Sequence, residues 1–199
     1  FCYSTIFVFR FAEGRKLPVM KTLARISVIG CAVLCAGSAV GAPVGYSVNA
    51  DAPDGDALFT IDLADGSTTL RGTVQSATGT YLDVEGLAFA PDGTLYGIDD
   101  EALKLFPINP DNGAVQVRDE VTISGLPLGG RNDFGMSFAC DGSLFVTSVT
   151  RGALYRLTLD GEATEVGPLN ANISAIAAYG DQLYGLGNGL DQDLKEDNP

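Results

Sequence analysis

Between residues 44 and 187 apolar side chains recur at every second position in runs of about five, the spacing of half-buried β-strands. Leu103-Lys104-Leu105-Phe106 and Ala153-Leu154-Tyr155-Arg156-Leu157 are two such runs, and Val44-Gly45-Tyr46-Ser47-Val48 and Ala57-Leu58-Phe59-Thr60-Ile61-Asp62 are two more. Turns follow at Asp65-Gly66, Asp111-Asn112-Gly113 and Asp160-Gly161, where a glycine after Asp or Asn accepts the positive φ that a tight hairpin demands. No long stretch carries the period of an amphipathic helix. The pattern predicts short antiparallel strands throughout.

The strands come in a repeated order. Gly86-Leu87-Ala88-Phe89-Ala90-Pro91-Asp92-Gly93-Thr94-Leu95-Tyr96 returns 49 residues later as Gly135-Met136-Ser137-Phe138-Ala139-Cys140-Asp141-Gly142-Ser143-Leu144-Phe145. A shorter copy, Ala175 to Tyr184, follows after a further 39. The runs near Val44, Leu58 and Thr69 supply the later part of an earlier unit. Four short strands in about 40 to 50 residues, repeated, describe the blades of a β-propeller, in which each blade buries its faces against its neighbours. A β-sandwich shares the short strands and Gly-rich turns but has no reason to repeat a whole cassette. The expected fold is therefore all-β, an incomplete β-propeller of about three to three and a half four-stranded blades over residues 43–190. Residues 191–199 read as an acidic tail or a truncation point, and the final strand edge as a place for self-association.

The N-terminal part has a different character. Met20-Lys21-Thr22-Leu23-Ala24-Arg25, then an apolar run from Ile26 to Val40 and small residues to Ala42, has the order of a secretory signal peptide. At about 15 residues the run falls short of a membrane span. Residues 20–42 are thus expected to direct export to the periplasm or beyond, with no membrane span in the mature chain. Residues 1–19 read as upstream translation that is not part of the native protein.

Export changes the charge balance. It removes five of the 12 basic and one of the 25 acidic side chains, leaving seven and 24 and a net charge of −17. Nucleic acid is excluded as a partner on that ground, because phosphate recognition needs clustered Lys and Arg. The chain has no histidine, so Ser-His-Asp and Cys-His units and histidine zinc ligands are excluded too. Of four cysteines, Cys2, Cys31 and Cys35 precede residue 43; Cys140 alone cannot form an internal disulfide.

The cassette Gly86-Leu87-Ala88-Phe89-Ala90-Pro91-Asp92-Gly93-Thr94-Leu95-Tyr96-Gly97, with Leu154-Tyr155-Arg156-Leu157, resembles the extracytoplasmic propeller repeats grouped as NHL-like and YncE-like. Arg131-Asn132-Asp133-Phe134-Gly135 followed by Asp141-Gly142 resembles in part the SMP-30/gluconolactonase-like proteins. That resemblance implies a divalent cation at the channel mouth. It would place Glu85 as a metal carboxylate, Asn132 as a substrate-side asparagine and Asn172 as a metal asparagine. Asn172 is not followed by Gly, the usual Pro before Asn132 is missing, and the Glu85–Asn132 spacing is about one blade short.

Read without the family, Glu85, Asn132, Asp133 and Asn172 fall where successive inner strands should start, so their oxygens would converge on the channel. Such hard ligands suit Ca²⁺ or another divalent cation such as Mg²⁺. The competing explanation is that Asp and Asn favour these turns because they bond their own backbone. Asp51, Asp54 and Asp56 read as a solvated turn, Asp99-Asp100-Glu101 as a turn between strands, and Cys140 as a packed or turn thiol. No cofactor is assured. The expected function is an exported binding or scaffold module for an unknown small molecule or protein, without evident catalytic machinery. A degenerate or truncated divalent-metal-dependent lactone hydrolase is the alternative.

Overall fold

The computed structural model describes residues 43–49, 55–126 and 133–187, and these form antiparallel sheets with no α-helix. The segments 1–19, 20–42 and 191–199 lie outside the described residues. The first sheet contains β1 (Val44–Val48), β2 (Ala57–Asp62) and β3 (Thr68–Thr73). A two-residue hairpin follows, β4 (Gln75–Ser76) with β5 (Gly79–Thr80). The second sheet is β6 (Val84–Phe89), β7 (Leu95–Asp99), β8 (Lys104–Ile108) and β9 (Val121–Thr122). The third is β10 (Phe134–Phe138), β11 (Leu144–Ser148), β12 (Ala153–Leu157) and β13 (Ala163–Pro168), and the fourth is β14 (Ile173–Tyr179) with β15 (Gln182–Gly187).

The sequence repeat coincides with strand register. Phe89 pairs Leu95, Phe138 pairs Leu144 and Ala178 pairs Leu183, so the three copies make the same hairpin in three sheets. Leu58-Phe59 in β2 corresponds to Leu105-Phe106 in β8 and Leu154-Tyr155 in β12, which makes β1–β3 the second, third and fourth strands of their unit. The described residues therefore comprise three strands of one blade, two full blades and the first two strands of another. This is the propeller pattern, with about the predicted number of blades.

What joins the blades is close stacking of their innermost strands. β6 lies beside β10, and β10 beside β14. A methyl group on Gly86 would sit 2.9 Å from Met136 Cβ and 2.8 Å from Ile98 Cγ2. On Gly135 it would sit 2.9 Å from Ala175 Cα and 3.0 Å from Ile176 N. These equivalent glycines do not turn the chain; they let one sheet approach the next.

The core divides accordingly. Val48 and Leu58 of the first sheet pack with Leu87, Leu95 and Phe106 of the second, and Ile98 and Leu105 of the second pack with Phe134, Met136 and Leu144 of the third. Aromatic steps recur at both interfaces. Tyr46 meets Phe89 edge-on at 5.4 Å between ring centres, and Tyr96 meets Phe138 at 5.6 Å.

Polar side chains at the strand ends serve the loops. Asp92 Oδ1 accepts from Thr94 N at 2.9 Å and Asp141 Oδ1 from Ser143 N at 2.8 Å, each beside a glycine with φ of 89° or 85°. These backbone donors hold both carboxyl groups below the usual carboxylate range. At the far end of the second strands, Asn49, Asp99 and Ser148 occupy one repeat position, and each caps the following loop by accepting from Ala57 N, Ala102 N or Arg151 N.

Stacking makes a direct prediction. Gly135→Ala should destabilise the protein by about 1–3 kcal/mol, since the obstructing atoms include the backbone of Ala175 and Ile176 as well as the Thr147 hydroxyl. Gly167→Ala, whose methyl meets nothing within 4 Å, should change stability by less than about 0.5 kcal/mol. Urea midpoints of the two variants check this; equal midpoints would contradict it.

Candidate functional site

The loop end from which the inner strands start carries the residues singled out by sequence. Glu85 is the second residue of β6, Asp133 immediately precedes β10, and Asn172 immediately precedes β14. All three are half-buried, and because β6, β10 and β14 are neighbours they share one end of the blades. Asn132 lies outside the described residues. Glu85 and Asp133 each already take part in an interaction within the chain. Among the described residues no three His, Cys, Asp or Glu side chains come together in a metal-binding group. Further down the inner strands, Leu87, Met136, Phe138 and Ile176 line a gap of only about 10 Å³, barely room for one water.

Two other carboxylates at this end are buried. Asp56 is fully inaccessible, which corrects the expectation of a solvated turn; Asp51 and Asp54 lie outside the described residues. Asp56 Oδ2 accepts from Val84 N at 2.6 Å, its own N–H donates to Tyr81 O, and its carbonyl accepts from Val74 N. It thereby ties the first blade to the start of β6. Asp99, at 2% exposure, accepts from Ala102 N at 2.6 Å and Asp83 N at 3.3 Å. Burial raises its pKa, the two backbone donors oppose that, and the charges of Asp83 and Glu101 add to it.

A cavity of about 250 Å³ opens between the β4–β5 hairpin and the loop joining β7 to β8. Ser76, Thr80 and Tyr81 line it from one side, and Asp99, Glu101 and Lys104 from the other. Lys104 Nζ donates to Glu120 Oε2 at 2.6 Å, and the Glu120 side chain is only 5% exposed. Tyr81 is 7% exposed and its ring stacks on Phe106 at 4.1 Å.

Burial, then the hydrogen-bonding influence and charge of Glu120, raise the Tyr81 pKa, so the phenol stays protonated. Burial would raise that of Glu120, but the Lys104 and Tyr81 protons and the Lys104 charge outweigh it and lower the pKa. Even so, Tyr81 Oη and Glu120 Oε1 are buried atoms with no well-formed hydrogen bond among the described residues.

Sequence reasoning missed this cluster. Lys104 figured there only as the polar position of an alternating strand, and Tyr81 and Glu120 are 39 residues apart in a region without a motif. The long connection between β8 and β9 was the one visible signal.

No protein-family model and no curated protein matches the chain. Among solved structures it is similar to virginiamycin B lyase from Staphylococcus aureus, at 21% identity over 72% of this chain and 48% of that one, with a TM-score of 0.44. A gluconolactonase from Xanthomonas campestris is 20% identical over 71% of this chain and 45% of that one, with a TM-score of 0.46. Regucalcin from Agrobacterium tumefaciens, described as a calcium-binding protein, is 17% identical over 69% and 65%, with a TM-score of 0.39. The chain spans about half the length of the first two. These likenesses assign no activity, ligand or residue role.

Glu120→Gln should lower stability at pH 7 by about 1–3 kcal/mol, the range for a charged hydrogen bond lost from a buried site. Because the carboxyl pKa is lowered in the folded state, its contribution is present above the unfolded value of about 4.3 and disappears as pH falls through the folded value. Denaturation of native and variant protein from pH 7 to 3 should therefore show curves that converge in acid. A constant gap would contradict the assignment.

Proposed function

We propose that the protein is an exported β-propeller module that binds a small molecule or another protein at its acidic loop end, without catalysing a reaction. The observation that supports this reading best is the assignment of the loop-end side chains. Asp56, Asp99, Asn49 and Ser148 are engaged in holding blades and loops, while the cavity beside Lys104 remains open to a ligand. The surplus of acidic residues favours solubility and disfavours polyanions as partners. No helix among the described residues is long and apolar enough to cross a membrane. Within the described residues the fourth sheet leaves Tyr179, Tyr184 and Leu186 exposed, which supports edge-mediated self-association as a further partner mode.

A second reading draws on the shared position of Glu85, Asp133 and Asn172 at the starts of neighbouring strands. With Asn132 they would supply hard oxygen ligands to Ca²⁺ or another divalent cation, which in a lactone hydrolase polarises the carbonyl under attack. The chain has no histidine for a base, so a carboxylate would have to activate water.

The two readings predict different outcomes in one set of measurements. A real site at a cation concentration of 100 Kd adds about 2.7 kcal/mol, a rise of roughly 5–10 °C in Tm for a domain of this size. The binding-module reading expects Ca²⁺, Mg²⁺, Mn²⁺ and Zn²⁺ to leave the Tm of both the native protein and Glu85→Gln unchanged, and no lactone to turn over. Chelator-sensitive lactone hydrolysis abolished by Glu85→Gln would establish the alternative.

A further inference from the structure

We infer that the cavity between the β4–β5 hairpin and the β7–β8 loop is a binding site for a small, neutral, polyhydroxylated molecule of monosaccharide size, an inference that rests on the binding-module reading and names its ligand class. At about 250 Å³ the cavity lies just below the roughly 300–1,000 Å³ of sites for drug-sized ligands, so its occupant is small.

The polar lining is built into the fold rather than scattered over the surface. Tyr81, more than nine-tenths buried, forms part of the wall, and its hydroxyl lacks a well-formed hydrogen bond. Glu120 stands behind Lys104, outside the cavity wall, with one oxygen on the ammonium and the carboxylate also acting on the Tyr81 hydroxyl. A buried hydroxyl is rarely left without a well-formed hydrogen bond, and a bound water or ligand hydroxyl beside Tyr81 is the ordinary remedy.

Charge selects the class of ligand. Lys104 shares the wall with the exposed Glu101, while Asp99 beside them is buried and bonded to the loop backbone, so an anion meets a carboxylate and a cation meets an ammonium. A hydroxyl group both donates and accepts, and therefore suits carboxylate and ammonium at once. Ser76 Oγ and Thr78 Oγ1, 2.9 Å apart, add hydroxyl partners from the hairpin. No aromatic stacking platform is added, because the Tyr81 ring already lies against Phe106. Recognition is accordingly by hydrogen bonds, and affinity is modest.

The full chain, labelled with ¹⁵N, would be titrated with neutral hexoses, pentoses and alditols and with glucuronate and glucosamine as charged counterparts. Saturable shifts of the Thr78, Gly79 and Ala102 amides are expected for at least one neutral compound, with Kd on the order of 1 mM. The charged counterparts of that compound should bind about tenfold more weakly. Thr80→Val and Glu101→Gln, both at exposed positions, should each weaken binding about tenfold at unchanged Tm.

The site is overturned if no neutral compound gives saturable shifts at these amides, if a charged counterpart binds more tightly, or if both variants bind as the native protein does. Failure here without lactone turnover leaves the binding-module reading standing. Chelator-sensitive turnover overturns that reading whatever the sugar titration shows.

Discussion

A small antiparallel sheet of four short strands exposes two faces and cannot bury both within itself, so the structure depends on stacking one sheet against the next. The close approach at Gly86 and Gly135 makes that stacking possible, because any side chain there would collide with the neighbouring inner strand. From it follow the two interfacial cores, the aromatic steps from Tyr46 to Phe89 and from Tyr96 to Phe138, and the gathering of strand starts at one end.

That gathering sets up the chemistry of the loop end. Carboxylates and hydroxyls brought together there face two demands, to satisfy the backbone of sharp loops and to remain available to a ligand. Asp56 and Asp99 meet the first: their oxygens accept from main-chain N–H groups, which makes burial of a carboxylate tolerable. The residues around Lys104 meet the second. Their ion pair is buried on the Glu120 side and reaches the cavity on the Lys104 side, a placement that orders the ammonium without hiding it.

Much of this architecture was legible in the chain because its determinants are local. Period-two alternation and Asp-Gly turns placed the hairpins, and the offset from Leu95 to Leu144 gave the same register in successive sheets. The repeated glycines were visible too, but their meaning was not, since the atoms that exclude a side chain come from the paired strand and from the next blade, both remote in sequence. Glu85, Asp133 and Asn172 fell at strand starts as read, whereas Asp56 was misread because its local composition is that of a solvated turn. The Tyr81–Lys104–Glu120 cluster is tertiary in origin, assembled from a hairpin exit, a third strand and the approach to a fourth.

The central claim is that successive sheets stand side by side with their innermost strands in contact, and nuclear Overhauser contacts in solution test it most directly. The structure predicts contacts from the Gly86 α-protons to the Met136 side chain and from the Gly135 α-protons to Ala175 and Ile176. Their absence, together with cross-strand amide contacts joining the Leu95 and Leu144 segments into one continuous sheet, would contradict it.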